Sequence, residues 1–422
     1  MNGNFIIKNA SQVVTCSGFA AKRGAAMADL GVIENGAVVI EEGVIRAVGP
    51  SDQVVPEDTA GYKVIDATGR AVLPGFVDSH THLVFGGYRA EEFGWRLRGM
   101  SYMEIMQRGG GIVSTMQATR NASWEELKRE ALKRLDSLLA FGVTTVEGKS
   151  GYGLDLVTEL KQLEVMSDLA GSHPVEVIPT FMGAHAIPPE YKGRTDDYVA
   201  FIIDTVLPAV SERNLARFCD IFCEKNVFSV EQSRMLLTRA KQLGFGLKLH
   251  ADEIVRIGGA ELAAEIGAVS ADHLLQASDE GIAALAAAGV VATLLPGTAF
   301  SLKEHYARGR YMIDHGCAVA LASDLNPGSC FTESMALIIA LACLYMGLTP
   351  EEAITAATIN GAAALGMADR IGSLDEGKQA DLVILDFPTY HYVPYHIGVS
   401  TVRTVIKKGR VVYNQLARPE CR

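Results

Sequence analysis

The chain has 422 residues, 49% of them hydrophobic and 21% charged, with a formal net charge of -11. That is ample apolar material for a large core, and one (β/α)8 barrel can take up roughly 250 residues or more. The acidic balance argues against a general nucleic-acid binder, although a local arginine can still hold an anionic substrate. The seven cysteines, Cys16, Cys219, Cys223, Cys317, Cys330, Cys343 and Cys421, are odd in number and form no CxxC pair. Reduced thiols in a cytoplasmic protein are the expectation. No run reaches the ~18 uncharged apolar residues of a membrane span, and the start of the chain lacks the pattern of a signal peptide.

Residues 1 to about 70 read as short strands with turns. Gly36 to Ile40 and Val44 to Val48, joined by Glu-Glu-Gly, make a hairpin pattern. Near the other end, Ala380 to Leu385 reads as a strand, and Val402 to Ile406 with Val411 to Tyr413 as a second hairpin. Two β-rich ends around an α/β middle predict a small β-sandwich domain assembled from both termini, residues 1-70 and 371-422. The barrel would then span 71-370.

The middle alternates strand and helix. Ser123 with Glu126 and Ser229 with Gln232 are capping boxes that open helices, and Gly142 and Gly244 can close them in a left-handed conformation. Thr349-Pro-Glu-Glu352 is a cap with proline in the first turn. Strand-like runs follow at Val143 to Val146, Leu247 to His250, Val269 to His273, Val290 to Leu295 and Ala318 to Ser323. Repeated β-then-α order implies parallel strands with right-handed crossovers, and the number of units favours a (β/α)8 TIM-like barrel over a small open sheet.

His80-Thr-His82 follows Ala71 to Val77, which reads as one strand. Residues two apart in an extended chain project to the same side, so both imidazoles can reach one ion. Alone, the motif reads as readily as two strand-end histidines without a metal. Yet His185, His250, His273 and Asp324 also follow strand-like runs. In a parallel barrel those ends share one mouth, where barrel active sites lie. His80, His82, His250 and Asp324 make a mononuclear ligand set of N and O donors, suited to zinc or iron. A bound metal can lower the pKa of a water from about 16 to about 7.

Glu253 lies three residues after His250 and could move protons, or merely mark a helix N-terminus. Asp252 is expected to face solvent. Arg89 could bind a substrate carboxylate bidentately, or pair at the surface with Glu91 or Glu92. Tyr152, between Gly151 and Gly153, and Asn326-Pro-Gly-Ser329 offer further contacts at strand ends. Gly109-Gly-Gly111 is too short for a phosphate loop and reads as part of a lid.

Pro74-Gly-Phe-Val-Asp-Ser-His-Thr-His82 and Gly377-Lys-Gln-Ala-Asp-Leu-Val383 resemble segments of the amidohydrolase superfamily. More specific stretches resemble the imidazolonepropionase family: His82-Leu-Val-Phe-Gly-Gly87 with Arg89, Lys149 to Leu154, Phe181 to Pro189, His250-Ala-Asp-Glu253 and Ser323 to Ser329. The resemblance covers essentially the whole chain. It implies one Zn2+ or Fe3+ on His80, His82, His250 and Asp324. It also implies substrate contacts from Arg89, Tyr152, His185, Glu253, Asn326, Gly328 and Ser329. The implied reaction is hydrolytic ring opening of 4-imidazolone-5-propanoate to N-formimino-L-glutamate by a metal-activated water. Glu253, His273, Asp324 and His185 would be the catalytic groups.

Gly148 departs from the family pattern, which has a larger apolar residue there, and a looser strand end is expected. Two other readings stay open. A related hydrolase or deaminase of a purine or pyrimidine would release ammonia and give Arg89 no task. A non-catalytic binding protein of this fold would be expected to have lost ligands, and none is missing. The small-molecule substrate would carry a carboxylate, with no nucleic-acid or membrane partner. Homodimers are common for such barrels.

Overall fold

The computed structural model describes residues 4-100, 104 and 108-415, so Cys421 lies outside the described residues. Its first five strands are β1 (Phe5-Val14), β2 (Val32-Glu41), β3 (Val44-Pro50), β4 (Lys63-Asp66) and β5 (Ala71-Pro74). The barrel strands follow as β6 (Phe76-Asp78), β7 (Val143-Lys149), β8 (Glu176-Ala184), β9 (Phe218-Cys223), β10 (Gly246-Ala251), β11 (Ser270-His273), β12 (Val291-Leu294) and β13 (Ala318-Leu321). The chain closes with β14 (Leu382-Leu385), β15 (Val402-Lys407) and β16 (Arg410-Asn414).

Strands β6 to β13 pair in sequence order, each parallel to the next. The expected (β/α)8 barrel is therefore present. Its strands are buried on both faces, as a parallel sheet covered by helices requires. The capping boxes at Ser123, Ser229 and Thr349 all form, and each opens a helix packed outside the strands. Gly142 and Gly244 follow their helices with φ of +87° and +90°. The helix Met335-Tyr345 is apolar almost all round because it is buried on nearly every side. Among the described residues no helix is long and apolar enough to cross a membrane.

The termini build the second sheet, in the order β16-β15-β14-β5-β1-β2-β3, with β4 also on β1. Both expected hairpins are there, β2 with β3 and β15 with β16. This sheet encloses its own core, including Ile7, Val13, Val38, Ile40, Val72, Leu382 and Ile406.

The run Ala71 to Val77 is not one strand. It divides at Gly75 into β5 of the terminal sheet and β6 of the barrel. Pro74 has no N-H to extend a ladder. The Gly75 N-H goes to Asp381, and the next donor, Phe76, goes to Gly142 in the barrel. Gly75 also lies against Thr144, whose Cγ2 would stand 2.3 Å from an added Cβ. One residue without a side chain thus lets the chain pass from one sheet to the other.

Gly148 does not loosen the end of β7, which continues through Lys149. Met166 Sδ and Leu83 Cδ2 lie 3.0 and 3.1 Å from the position of a Cβ there, so neighbouring side chains fill the space.

Candidate metal centre and substrate cavity

The barrel closes at the segments that carry the histidine pair and Asp324. After β6, the His80 carbonyl accepts the Asp324 N-H at 3.0 Å, and the His82 N-H donates to Leu325 at 2.9 Å. Thr81 and Leu325 form the bridge between first and last barrel segments. His250 stands on β10, His273 ends β11 and His185 follows β8. Six groups from five strand ends thereby face one volume.

The imidazole of His80 lies 4.5 Å from that of His250 and 5.5 Å from that of His82, centre to centre. Asp324 Oδ1 is 3.5 Å from His80 Nε2 and 3.7 Å from His82 Nε2. In three overlapping triples the candidate ligand atoms lie within 4.8 Å of one another: His80 with His82 and Asp324, His80 with His250 and His273, and His82 with His185 and His250. His80 Nε2 and both ring nitrogens of His250 and His273 are buried without a hydrogen-bond partner. Buried polar atoms are normally satisfied, and a cluster of orphaned imidazole nitrogens beside a carboxylate fits a metal ion. Asp324 and His273 also hold left-handed backbone, with φ of +51° and +73°. Such strain in non-glycine residues concentrates at functional sites.

A cavity of about 210 Å³ opens over the cluster. His82, His185, His250, His273 and Asp324 form its floor, and Arg89, Tyr152, Glu253, Asn326 and Ser329 reach it from the loops. Arg89 is not a free surface arginine. Its side chain is 12% exposed and its nearest carboxylate, Glu92, is 3.9 Å away. Its Nε is buried without a partner. Gly328 does not line the cavity directly; the Arg89 guanidinium lies against it.

A sequence model of the amidohydrolase family matches residues 63-124 and 108-413. An imidazolonepropionase of Parabacteroides distasonis is 62% identical over 97% of this chain and 99% of its own length. One from Clostridium tetani is 60% identical over 98% and 99%. The chain belongs to the imidazolonepropionase family. Among solved structures, a zinc-bound adenosine deaminase from Xanthomonas campestris superposes with a TM-score of 0.72 at 20% identity, covering 98% of this chain and 93% of that one. That likeness shows the shared fold, a barrel with a second sheet domain, and nothing about substrate.

In this imidazolonepropionase-family chain the cluster rests on a layer of buried charge. His80 Nδ1 donates to Asp272 Oδ2 at 2.6 Å, which leaves Nε2 as a lone-pair nitrogen facing the cluster. Asp220 Oδ2 is 3.1 Å from His250 Nδ1. Lys149 Nζ lies 2.7 Å from Asp220, 3.0 Å from Glu147 and 3.4 Å from Asp272. Lys248 adds a second cation 2.7 Å from Glu147. Burial disfavours the charged form of Lys149, but Asp220, Glu147 and Asp272 outweigh it and push its pKa up. Burial works against Asp272 as well, yet Lys149 and Lys248 hold it below the usual carboxylate range.

Burial pushes Asp324 up to about 7, although Thr298 and Asn326 donate to it. It pushes Glu253 up to about 8, with Asp324 adding to the effect. His185 and His273 are lowered to about 4, chiefly by burial, so both are neutral near pH 7. His185 Nδ1 meets the Gly151 carbonyl at 3.1 Å, and only a protonated nitrogen can donate there. Its Nε2 is therefore the lone-pair nitrogen.

The loops are held by groups below the cavity. Glu159 accepts the N-H groups of Gly151, Gly153 and Leu154 around Tyr152. Gln162 accepts from the Tyr152 N-H and donates to the Val84 carbonyl, joining the loop of Tyr152 to the segment that leads to Arg89. Asn326 shapes its own turn: its oxygen accepts the Gly328 and Ser329 N-H groups, and its nitrogen donates to Asp324. Asp252, expected at the surface, is fully buried. Its carboxylate accepts four backbone N-H groups from Ile257 to Ala260, at the start of the helix Gly259-Ile266. The reason is local: a left-handed φ of +49° turns its side chain inward.

Asp220, Asp272, Lys149, Lys248 and Glu147 had no part in the site as read from sequence. The available signal was a charged residue inside a strand otherwise apolar on both faces, as in Cys219-Asp-Ile221 and Leu247-Lys-Leu249.

Proposed function

We propose that the chain catalyses hydrolytic ring opening of 4-imidazolone-5-propanoate to N-formimino-L-glutamate in histidine degradation. The observation that carries the reading is Arg89. A guanidinium with a partnerless Nε faces a small cavity whose floor is the histidine-aspartate cluster. That is a carboxylate anchor set across from a hydrolytic centre, and the relatives named for this reaction match at about 60% identity.

His80, His82, His250 and Asp324 would hold one Zn2+ or Fe3+, since N and O donors without thiolate suit either ion. When bound, the ion supplies a Lewis acid that lowers the pKa of a water from about 16 to about 7. The remaining work belongs to the side chains. Arg89, with Tyr152 and Ser329, holds the propionate and so aligns the ring carbonyl over the floor of the cavity. His185, with its lone pair at Nε2, accepts a hydrogen bond from the ring N-H. His273 keeps both nitrogens unpaired and stabilises the charge that develops on the carbonyl oxygen. Glu253 stands 3.6 Å from His273 and can hold a proton at neutral pH. With Asp324 it passes the proton from the attacking water to the leaving ring nitrogen. The water oxygen bonds to the carbonyl carbon, the C-N bond breaks, and the nitrogen departs protonated.

The described cysteines are all free thiols, which supports a reducing, cytoplasmic setting. The test is hydrolysis of freshly prepared imidazolone propionate, followed by loss of its ultraviolet absorbance, with metal-replete and chelated protein side by side. Metal-dependent loss without ammonia is the expected result. Ammonia release from an aminopyrimidine or aminopurine, with no turnover of the imidazolone, would move the assignment to a deaminase.

A further inference from the structure

Glu253 reaches the cavity from a loop whose backbone is gripped on both sides. On its N-terminal side, Asp252 is turned inward and ties that end of the loop to four N-H groups further on, from Ile257 to Ala260, at 2.8 to 3.1 Å. On its C-terminal side, the grip comes from a different strand. Glu224 follows β9 and is 1% exposed. Its Oε2 accepts the Ile254 N-H at 2.8 Å, and Val255 N-H lies 3.2 and 3.3 Å from its two oxygens. The Glu224 backbone is itself fixed, since its N-H donates to Phe228 and its carbonyl accepts from Val227. Glu224 also takes the Lys225 N-H at 2.7 Å.

Neither Asp252 nor Glu224 lines the cavity. A carboxylate taking several backbone N-H groups is a strong and directional restraint, because each bond is charge-assisted. Together the two carboxylates hold the backbone at Ile254, Val255 and Ile257 to Ala260, the stretch that directly follows Glu253. Ile254, next in sequence, is 62% exposed, so apolar packing of its side chain does little to hold the loop. The restraint on Glu253 is therefore polar and comes from below.

We propose that Glu224 is a positioning residue for Glu253: from the end of β9 it fixes the backbone at Ile254 and Val255, and so the aim of the Glu253 carboxyl into the cavity. This rests on the proton-transfer reading of Glu253. Misplacement of a proton-transfer group by about 1 Å can cost on the order of a hundredfold in rate. The loss should fall on kcat, since Arg89, Tyr152 and Ser329 lie on other loops, and the ligand on the same segment, His250, stands within β10 before the gripped backbone.

The experiment compares Glu224→Ala, Glu224→Gln, Glu253→Gln and the two double variants, each loaded with metal. Steady-state kinetics on imidazolone propionate, metal stoichiometry and circular dichroism are measured for each. Glu253→Gln should lower kcat by about a hundredfold or more. Glu224→Ala should lower kcat by about ten- to a hundredfold, with KM within about twofold and metal content unchanged. In the Glu253→Gln background the Glu224 substitutions should cost nothing further. Glu224→Gln keeps one accepting oxygen, so its loss should be several-fold and should vanish in the same background. If Glu224→Ala fails to fold, Glu224→Gln carries the test, and parent-like kcat in that variant overturns the proposal. Additive losses in the double variants, or a loss confined to KM or metal content, also overturn it. Parent-like turnover by Glu253→Gln would refute the role of Glu253 itself, and the positioning role with it.

Discussion

The Arg89 guanidinium lies in the space that Gly328 leaves by having no side chain: a Cβ built on Gly328 falls 1.3 Å from a terminal nitrogen of Arg89. The obstruction is the far end of a flexible side chain, so Gly328→Ala should displace Arg89 rather than unfold the turn. The expected result is a rise in KM of about tenfold or more with metal content unchanged. Arg89→Ala removes the anchor outright. Losing a charge-assisted contact of roughly 1.5 to 3 kcal/mol corresponds to about a 10- to 150-fold rise. Loss of metal from Arg89→Ala, with KM unaltered, would remove Arg89 from the substrate side of the site.

His80 is held in one tautomer by Asp272. Asp272→Asn keeps the shape but can present an N-H to His80 Nδ1, turning the ring towards the wrong tautomer. Metal affinity should fall by about 10- to 100-fold in competition with a chelator, with the fold intact by circular dichroism. His80→Ala should lose metal and activity together. Full activity in the metal-depleted variant would refute the metal-dependent mechanism.

Glu253 gives a pH signature in chelated protein. Burial raises its pKa from 4.5 to about 8, so the folded state keeps a proton that the unfolded state has lost between those values. The stability it contributes is fully present below pH 4.5 and is lost as pH rises towards 8. Glutamine cannot ionise. The Tm of Glu253→Gln minus that of the parent should therefore increase from about pH 5 to about pH 8. A flat difference would mean that the carboxyl is solvated and its pKa ordinary.

Far from the site, Ser123→Ala removes a capping box in which Ser123 and Glu126 satisfy each other's backbone N-H groups. Urea unfolding should show a loss of about 1 kcal/mol with kcat unchanged. This separates a purely structural loss from the effects above.

Much of the barrel was legible because its signals are local. Ser123, Ser229 and Thr349 mark helix starts within four residues, and His80, His250 and Asp324 follow strand-like runs. The division at Gly75 was marked only by Pro74-Gly75, a break that reading Ala71 to Val77 as one apolar run passed over. Which sheet each half joins is decided by partners far away in sequence. Asp252 was misread for a similar reason. Its burial follows from one backbone angle, and an acid after a strand otherwise looks solvated. The charged layer of Lys149, Asp220 and Asp272 becomes a unit only when three strands lie side by side.

Strand β5 pairs with β14, through Val72 with Ile384 and Pro74 with Leu382. A segment made roughly three hundred residues later thus anchors the stretch that leads directly into His80 and His82. Such distant pairing makes assembly slow, because the loop-closure entropy must be met before the contact forms. On the ribosome the candidate ligands His80 and His82 emerge early, but the sheet that leads into them is completed last. Capture of an ion by this cluster is thereby expected to wait until the late strands have joined β5.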